Sequence, residues 1–313
     1  MRPRSSWARG LLGAAALVTI ASAAIAAPPE KKPEVAPPVL AHDKAPPVLA
    51  HDEVPSEGAP SENEALGRRE AARVAAGRIL VAVWASADLG NRRFTYSDPV
   101  GPLLAPYRLP VAPMASFGLE AYPFAGSGVP VLRDLGFRGR LSSAFAVGTK
   151  TPEGAELDTS WTRFGGELRQ RFLVPGEHPM EFGVFIGGDA SYFGMSTKAP
   201  VAALLPAART AALRFGVDAR FLLAWRLSFL VSGSYLVVTS RGEIYDRFRS
   251  PSVKGVDADG GFAIGLIPGL ELRATGRYTR YFATFEPRIG DAIVAGGAVD
   301  QQLQFGLGAR YAH

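Results

Sequence analysis

The sequence predicts an all-β protein: a transmembrane antiparallel up-and-down β-barrel of about ten strands, preceded by a Pro-rich N-terminal arm. Three observations predict it. From Arg78 onward, apolar and polar residues alternate with a period of two and not 3.6. Most of the alternating segments run 9 to 15 residues, whereas a soluble strand averages about 5 to 6 and a tilted membrane-crossing strand needs about 9 to 11. The connections between segments alternate long and short, as in a barrel with long loops on one side and tight turns on the other.

Taken in order, residues 1–26 read as a secretory signal peptide. Arg2, Arg4 and Arg9 make a basic start, Leu11 to Ile20 an apolar core, and Ala24-Ile25-Ala26 a small-residue cleavage site. Residues 27–60 form a Pro-rich linker in which the octapeptide Ala36–Asp43 recurs at Ala45–Asp52. Proline at that density blocks helix and ladder alike, so an extended arm is expected, with His42 and His51 as ordinary linker residues. Over 61–77, the pattern Ser61-Glu62-Asn63-Glu64 before Ala65–Ala76 predicts a short capped helix.

The barrel is expected over 78–313. Its clearest strands are Leu213–Phe221, Leu270–Tyr278 and Gln302–Tyr311, where every second residue is apolar. Phe137–Val147, Arg163–Phe172 and Glu181–Gly194 follow the same rule, and Arg78–Ser86, Ala112–Tyr122, Arg226–Thr239 and Asp257–Ile267 complete ten. The long loops fall at 87–111, 148–156, 195–212, 240–256 and 286–298, and the turns at 123–134, 174–180, 224–225 and 268–269. The apolar face is then the lipid face, with Trp84, Tyr122, Trp161, Tyr192, Tyr235, Tyr278 and Tyr281 near strand ends as interfacial girdles. A soluble two-sheet barrel would expose a Lys-rich polar face; here that face is rich in Arg, Gly, Ser and Glu. Two features break the pattern: Thr279-Arg280-Tyr281 interrupts the alternation, which suggests a bulge, and Leu230, Leu236 and Val238 place apolar groups on the luminal side.

The closing segment Gln304-Phe305-Gly306-Leu307-Gly308-Ala309-Arg310-Tyr311, together with the leader and the strand pattern, resembles the small bacterial outer-membrane β-barrel proteins. Where that group commonly ends on an aromatic residue, Ala312 and His313 follow Tyr311. The resemblance implies a Gram-negative outer membrane with the arm in the periplasm. The partners it implies are outer-membrane lipid and the barrel-assembly machinery, and it names no activity and no ligand for the outer loops.

The chemistry expected is luminal. Arg138, Arg140, Arg163, Arg169, Arg171, Arg214, Arg220, Arg273, Arg277 and Arg310 should point inward against Glu120, Glu167, Glu181, Asp189, Asp218 and Glu271, ten positive groups facing six negative. Ten strands enclose little more than eight do, and eight are just filled by side chains, so these groups should form a structural ion-pair network. The alternative is that surplus arginine makes a narrow anion-selective, porin-like channel.

No catalytic, metal or cofactor site is expected. The chain has no Cys, and its four histidines, His42, His51, His178 and His313, fall in the arm, an inner turn and the terminus. Asp257-Ala258-Asp259-Gly260 opens like a calcium loop, but the twelfth position is Pro268 and not Glu. Glu243, Tyr245 and Asp246 are the one compact loop group an outer-membrane enzyme would offer. Nucleic-acid binding is not expected, because the arginines alternate along strands and do not gather into an external patch.

Overall fold

A computed structural model of the chain describes residues 79–100, 104, 106–145, 148–150, 156–174, 179–196, 207–224 and 226–313; for 148–150, 156–158 and 195–196 it describes the backbone alone. The expected leader, arm, repeat and capped helix, with His42, His51 and His178, lie outside the described residues.

The strands are β1 (Val81–Ser97), β2 (Tyr107–Ala121), β3 (Leu135–Ala144), β4 (Gly148–Lys150), β5 (Glu156–Val174), β6 (Met180–Ser196), β7 (Ala208–Ala224), β8 (Leu227–Ser240), β9 (Ser252–Ile267), β10 (Leu270–Thr284) and β11 (Gly297–Ala312). Consecutive strands pair antiparallel, except that β3 and β4 both pair with β5 and not with each other, and β1 pairs with β11 without a break from Ala82↔Ala312 to Ser97↔Gly297. β3 leaves β5 after Ser143↔Thr162, and the three residues of β4 continue the same position opposite 156–158. The result is a closed barrel with ten positions, the form in which β structure satisfies its backbone without water. The start of β1 and the end of β11 lie at one end, here the terminal end, with the turns at 122–134 and 268–269; the described segments at 98–100, 241–251 and 285–296 lie at the other, distal end. In the tightest turn Gly269 has φ +76°, and a Cβ there would lie 2.5 Å from the Ala312 carbonyl oxygen, so only glycine closes β9 onto β10.

Most strands outrun the expected bounds: β1 continues through the predicted loop 87–111 as far as Ser97, and β2 begins at Tyr107. The extra length has its own chemistry. Over the nine to eleven residues of each strand nearest the terminal end, the outward side chains are apolar with few exceptions, Gln170 on β5 among them, and many are well exposed, as at Phe117, Ile186, Val217, Phe262 and Leu307. Toward the distal end the polarity reverses. Arg93, Arg108, Arg209, Lys254 and Arg280 point outward, while Phe94, Leu109, Met114, Trp161, Phe193, Leu236 and Tyr281 are buried inside. The barrel therefore has an apolar belt of the height a bilayer core requires and a distal extension folded like a soluble protein.

This reversal corrects several sequence expectations. Thr279-Arg280-Tyr281 is no bulge: β10 pairs with β11 in unbroken register from Leu270 to Thr284, and Tyr281 is inward because it lies above the belt. Leu236 is fully buried for the same reason, with Val238 packed beside it. Of the girdle aromatics, Tyr192, Tyr235 and Tyr278 face outward; Trp84, Tyr122, Trp161 and Tyr281 face inward. A real irregularity sits where β1 and β2 cross the belt edge. The register steps from Gly90↔Ala112 to Arg92↔Leu109, so Pro110 and Val111 oppose the single Asn91, whose Nδ2 donates to the Pro110 carbonyl at 2.7 Å. The extra residue keeps Leu109 and Ala112 both inward, and it accommodates a proline that a regular ladder would reject.

Strand parity predicts a sharp contrast within β8. Val231 is 40% exposed on the belt and Ser232 lines the lumen. Val231→Arg should cost about 2 to 4 kcal/mol of folding stability in lipid vesicles and Ser232→Arg less. The opposite order in a urea titration would shift the face assignment of the whole strand by one residue.

Candidate functional site

The barrel interior is where this sequence concentrates its chemistry, because alternation delivers a polar side chain into it at every second position below the distal extension. At the terminal mouth, Glu271 accepts from Arg220 at 2.9 Å, Arg310 at 3.0 Å and Arg273 at 3.2 Å. Arg310 also reaches Glu120 at 3.3 Å, and Arg169 binds Glu181 at 2.7 Å and donates through Nε to Asp218 at 2.8 Å. Arg171 pairs with Asp134 at 3.2 Å while its guanidinium stacks 3.8 Å over the Tyr122 ring. One level up, Glu167 takes Arg138 at 2.9 Å and Arg214 at 2.7 Å.

The next level closes the lumen. Asp189 accepts from Arg163 at 2.8 Å and Arg140 at 3.0 Å. Asp257, whose side chain is wholly buried, has Arg277 Nε at 3.0 Å, Arg214 at 3.2 Å, Arg163 at 3.4 Å and Arg140 at 3.7 Å. These contacts cross the barrel. β5 and β10 occupy opposite positions among the ten, as do β3 and β9, yet Arg163 on β5 donates to Thr279 Oγ1 on β10 at 2.7 Å, and Arg140 on β3 reaches Asp257 on β9. Guanidiniums from β5 and β3 therefore reach across the width of the lumen at this level.

All fourteen residues singled out for the luminal network lie in this interior, and each makes at least one ion pair. The expected surplus of arginine is corrected. Asp88, Asp257, Asp259 and Asp134 also face inward, bringing the carboxylates from six to ten against ten arginines. The first three follow from alternation, since Asp88 shares parity with the inward residues of β1 and Asp257 and Asp259 with those of β9; the expected first strand ends at Ser86, short of Asp88, and Asp257-Ala258-Asp259-Gly260 has the look of a loop. Asp257 and Asp259 hold arginines in the register that resembled a calcium loop. Asp88 accepts from Ser116 Oγ and from Gln304 Nε2 at 2.8 Å.

Above the charged level sits an apolar cap that sequence reasoning missed. Trp161, Phe193, Met114, Phe94, Leu236 and Tyr281 fill the distal lumen, and the loop helix α1 (Glu243–Asp246) sends Ile244 and Tyr245 into it from above. Phe248 and Phe285 stack there at 3.9 Å. The one ion pair within the cap among the described residues, Arg92 to Asp300 at 2.7 Å, has Arg92 lying 4.0 Å over the Phe193 ring. Tyr245 is 1% exposed, and burial pushes its hydroxyl well above the usual phenol range, so its ring lies inside the cap and not on the loop surface beside Glu243 and Asp246. A cavity of about 250 Å³ remains on the terminal side, bordered by Trp84, Ser86, Ser116, Arg273 and Gln304. Among the described residues no group of three His, Asp or Glu is placed to hold a metal ion.

No family model matches the chain, and no curated protein matches it. Among solved structures it is similar to the outer membrane protease OmpT from Escherichia coli, at 6% identity and a TM-score of 0.41 over 74% of this chain and 96% of that one. Neisserial surface protein A matches at 9% identity and a TM-score of 0.32 over 74% and 99%. Ail, the attachment invasion locus protein of Yersinia pestis, in complex with the heparin analogue sucrose octasulfate, matches at 9% identity and 0.29 over 74% and 100%. What those proteins do is not carried over to this chain.

Proposed function

We propose that the chain is an integral outer-membrane β-barrel of structural or interaction type, with a sealed lumen, both ends of the barrel strands' chain in the periplasm and the distal loops outside the cell. The observation that carries the reading is the crossing of the lumen by Arg163 and Arg140, roofed by the apolar cap. The balance of ten arginines against ten carboxylates removes the net positive field that an anion-selective path needs. Of the one compact loop cluster, Glu243, Tyr245 and Asp246, the tyrosine is folded into the cap. What remains for function is the outside: the distal loops, raised above the membrane on a rigid extension, are the surface available to partners.

Two measurements test this reading. Closed barrels resist detergent denaturation, so unboiled protein should migrate differently from boiled protein on a denaturing gel. Vesicles carrying the protein should retain an entrapped small anion as well as protein-free vesicles do. Equal mobility combined with full solubility in detergent-free buffer would sink the membrane assignment, and rapid loss of the entrapped anion would sink the sealed lumen.

A further inference from the structure

The outward face of the barrel carries a feature that the luminal network does not explain. Arg108 on β2 lies directly opposite Arg93 on β1, Arg93 opposite Gln301 on β11, and Gln301 opposite Arg280 on β10. Lys254 on β9 stands opposite Phe282, one outward step beyond Arg280. Parity makes all five outward: their strand neighbours on either side are inward, most of them almost wholly buried, as Arg92, Phe94, Thr279, Tyr281, Asp300 and Gln302 are. Neighbouring strands are about 4.8 Å apart, so the polar row runs roughly 14 Å around the barrel from Arg108 to Arg280.

Two properties of the row are costly without a counter-charge. Like charges directly opposite on one sheet face destabilise the pairing, and Arg93 faces Arg108. No carboxylate points outward anywhere on β9, β10, β11, β1 or β2, and among the described residues Arg93, Arg108, Arg280 and Lys254 make no ion pair. Arg280 is held flat, its guanidinium 4.7 Å over the Phe282 ring, which leaves an edge free to donate. The position of the row supplies the anion. It lies two to four residues beyond the last strongly exposed apolar residues, Leu89, Val256 and Phe305, a height of several ångströms on tilted strands, which is the depth of the headgroups flanking a bilayer core.

We propose that this row is a binding site for the phosphate groups of an anionic lipid in the outer leaflet, with Arg93, Arg108 and Arg280 as the hydrogen-bond donors to phosphate, Gln301 between them and Lys254 at its margin. The proposal rests on the membrane reading above, because only a bilayer whose core meets the belt brings headgroups to this height. A guanidinium fork matches phosphate in two hydrogen bonds, and a phosphate between Arg93 and Arg108 turns their repulsion into a shared attraction.

The test compares barrels folded into vesicles of pure phosphatidylcholine with barrels in phosphatidylcholine doped with a bis-phosphorylated glycolipid. The wild-type urea midpoint should rise on doping, and glycolipid should stay with the protein through extraction in neutral detergent. In the triple variant R93Q/R108Q/R280Q, retention should fall on the order of a hundredfold and the rise should vanish. Arg93→Gln alone should be neutral or stabilising in pure phosphatidylcholine and destabilising in doped vesicles, a change of sign that a merely structural arginine would not show. Equal retention by the triple variant would overturn the proposal. The same rise with inorganic phosphate alone would overturn the assignment to lipid. Loss of the boiled-versus-unboiled mobility difference in wild-type protein would overturn the membrane reading itself, and this site with it.

Discussion

Asp257→Ala is expected to be the most damaging single substitution in the lumen, costing about 3 to 5 kcal/mol in a urea titration of the barrel in lipid vesicles, the range for removing one partner of a buried ion pair. Four guanidiniums, from Arg140, Arg163, Arg214 and Arg277, lie within 4 Å of this one carboxylate, whose side chain is wholly shielded from solvent. Without it, Arg140 and Arg163 have only Asp189 as an acidic partner, and their positive charges stay buried side by side across the middle of the barrel. Thr279 also loses the carboxylate to which it donates at 2.9 Å. Asp259→Ala is the control on the neighbouring inward position: its side chain is 31% exposed and its two arginines both bind Asp257 as well, so its loss should cost a fraction as much. Equal stability of the Asp257→Ala variant and wild-type protein would mean that the luminal charges are solvated independently and do not act as one network.

The contrast between what the sequence showed and what it hid follows one physical boundary. Within the apolar belt, each strand must be apolar outside and polar inside, so a period of two with a fixed sign is legible residue by residue, as at Phe305, Leu307 and Tyr311 against Gln304 and Arg310. The ten-strand closure and the alternation of long and short connections follow from counting such segments. Beyond the belt edge the period persists, but its sign reverses. Read with the membrane sign, Tyr281 becomes a girdle residue and Leu236 a misplaced one; read with the soluble sign, both are ordinary core. The proline at 110 and the bulge it occupies mark that crossing on β2, a local signal available in the sequence and unused. Asp88 shows the cost of ending the first strand at Ser86: Asn91, Arg93 and Thr95 look like loop, and Asp88, which continues the alternation through Ala87 and Leu89, falls with them into the expected loop 87–111. Contacts across the lumen, such as Arg163 to Thr279, were beyond reach, since they depend on which strands lie opposite in a ring and on the angle at which the register tilts them.

Two successive seals imply a distinct electrical behaviour. The charged level closes the lumen by guanidiniums that span it, and the cap closes it again by rings that exclude water, so each should hold when the other fails. Wild-type protein in a planar bilayer should therefore show no steady conductance. Arg140→Ala with Arg163→Ala opens the charged level but leaves Trp161, Phe193 and Tyr281 in place, and a dewetted apolar constriction still blocks ions. Trp161→Ala with Phe193→Ala thins the cap but leaves both cross-lumen arginines. Neither double variant should pass more than brief, small currents, whereas all four substitutions together should give a steady, resolvable step in barrels that still show the folded mobility on an unboiled gel. Selectivity then reports on what is left: with two arginines gone, nine inward-facing arginines, Arg92 included, remain against eleven carboxylates, so the opened path should favour cations. A steady, anion-selective current through unmutated protein would show that the contacts across the lumen part in the membrane, and the structural reading would give way to a channel.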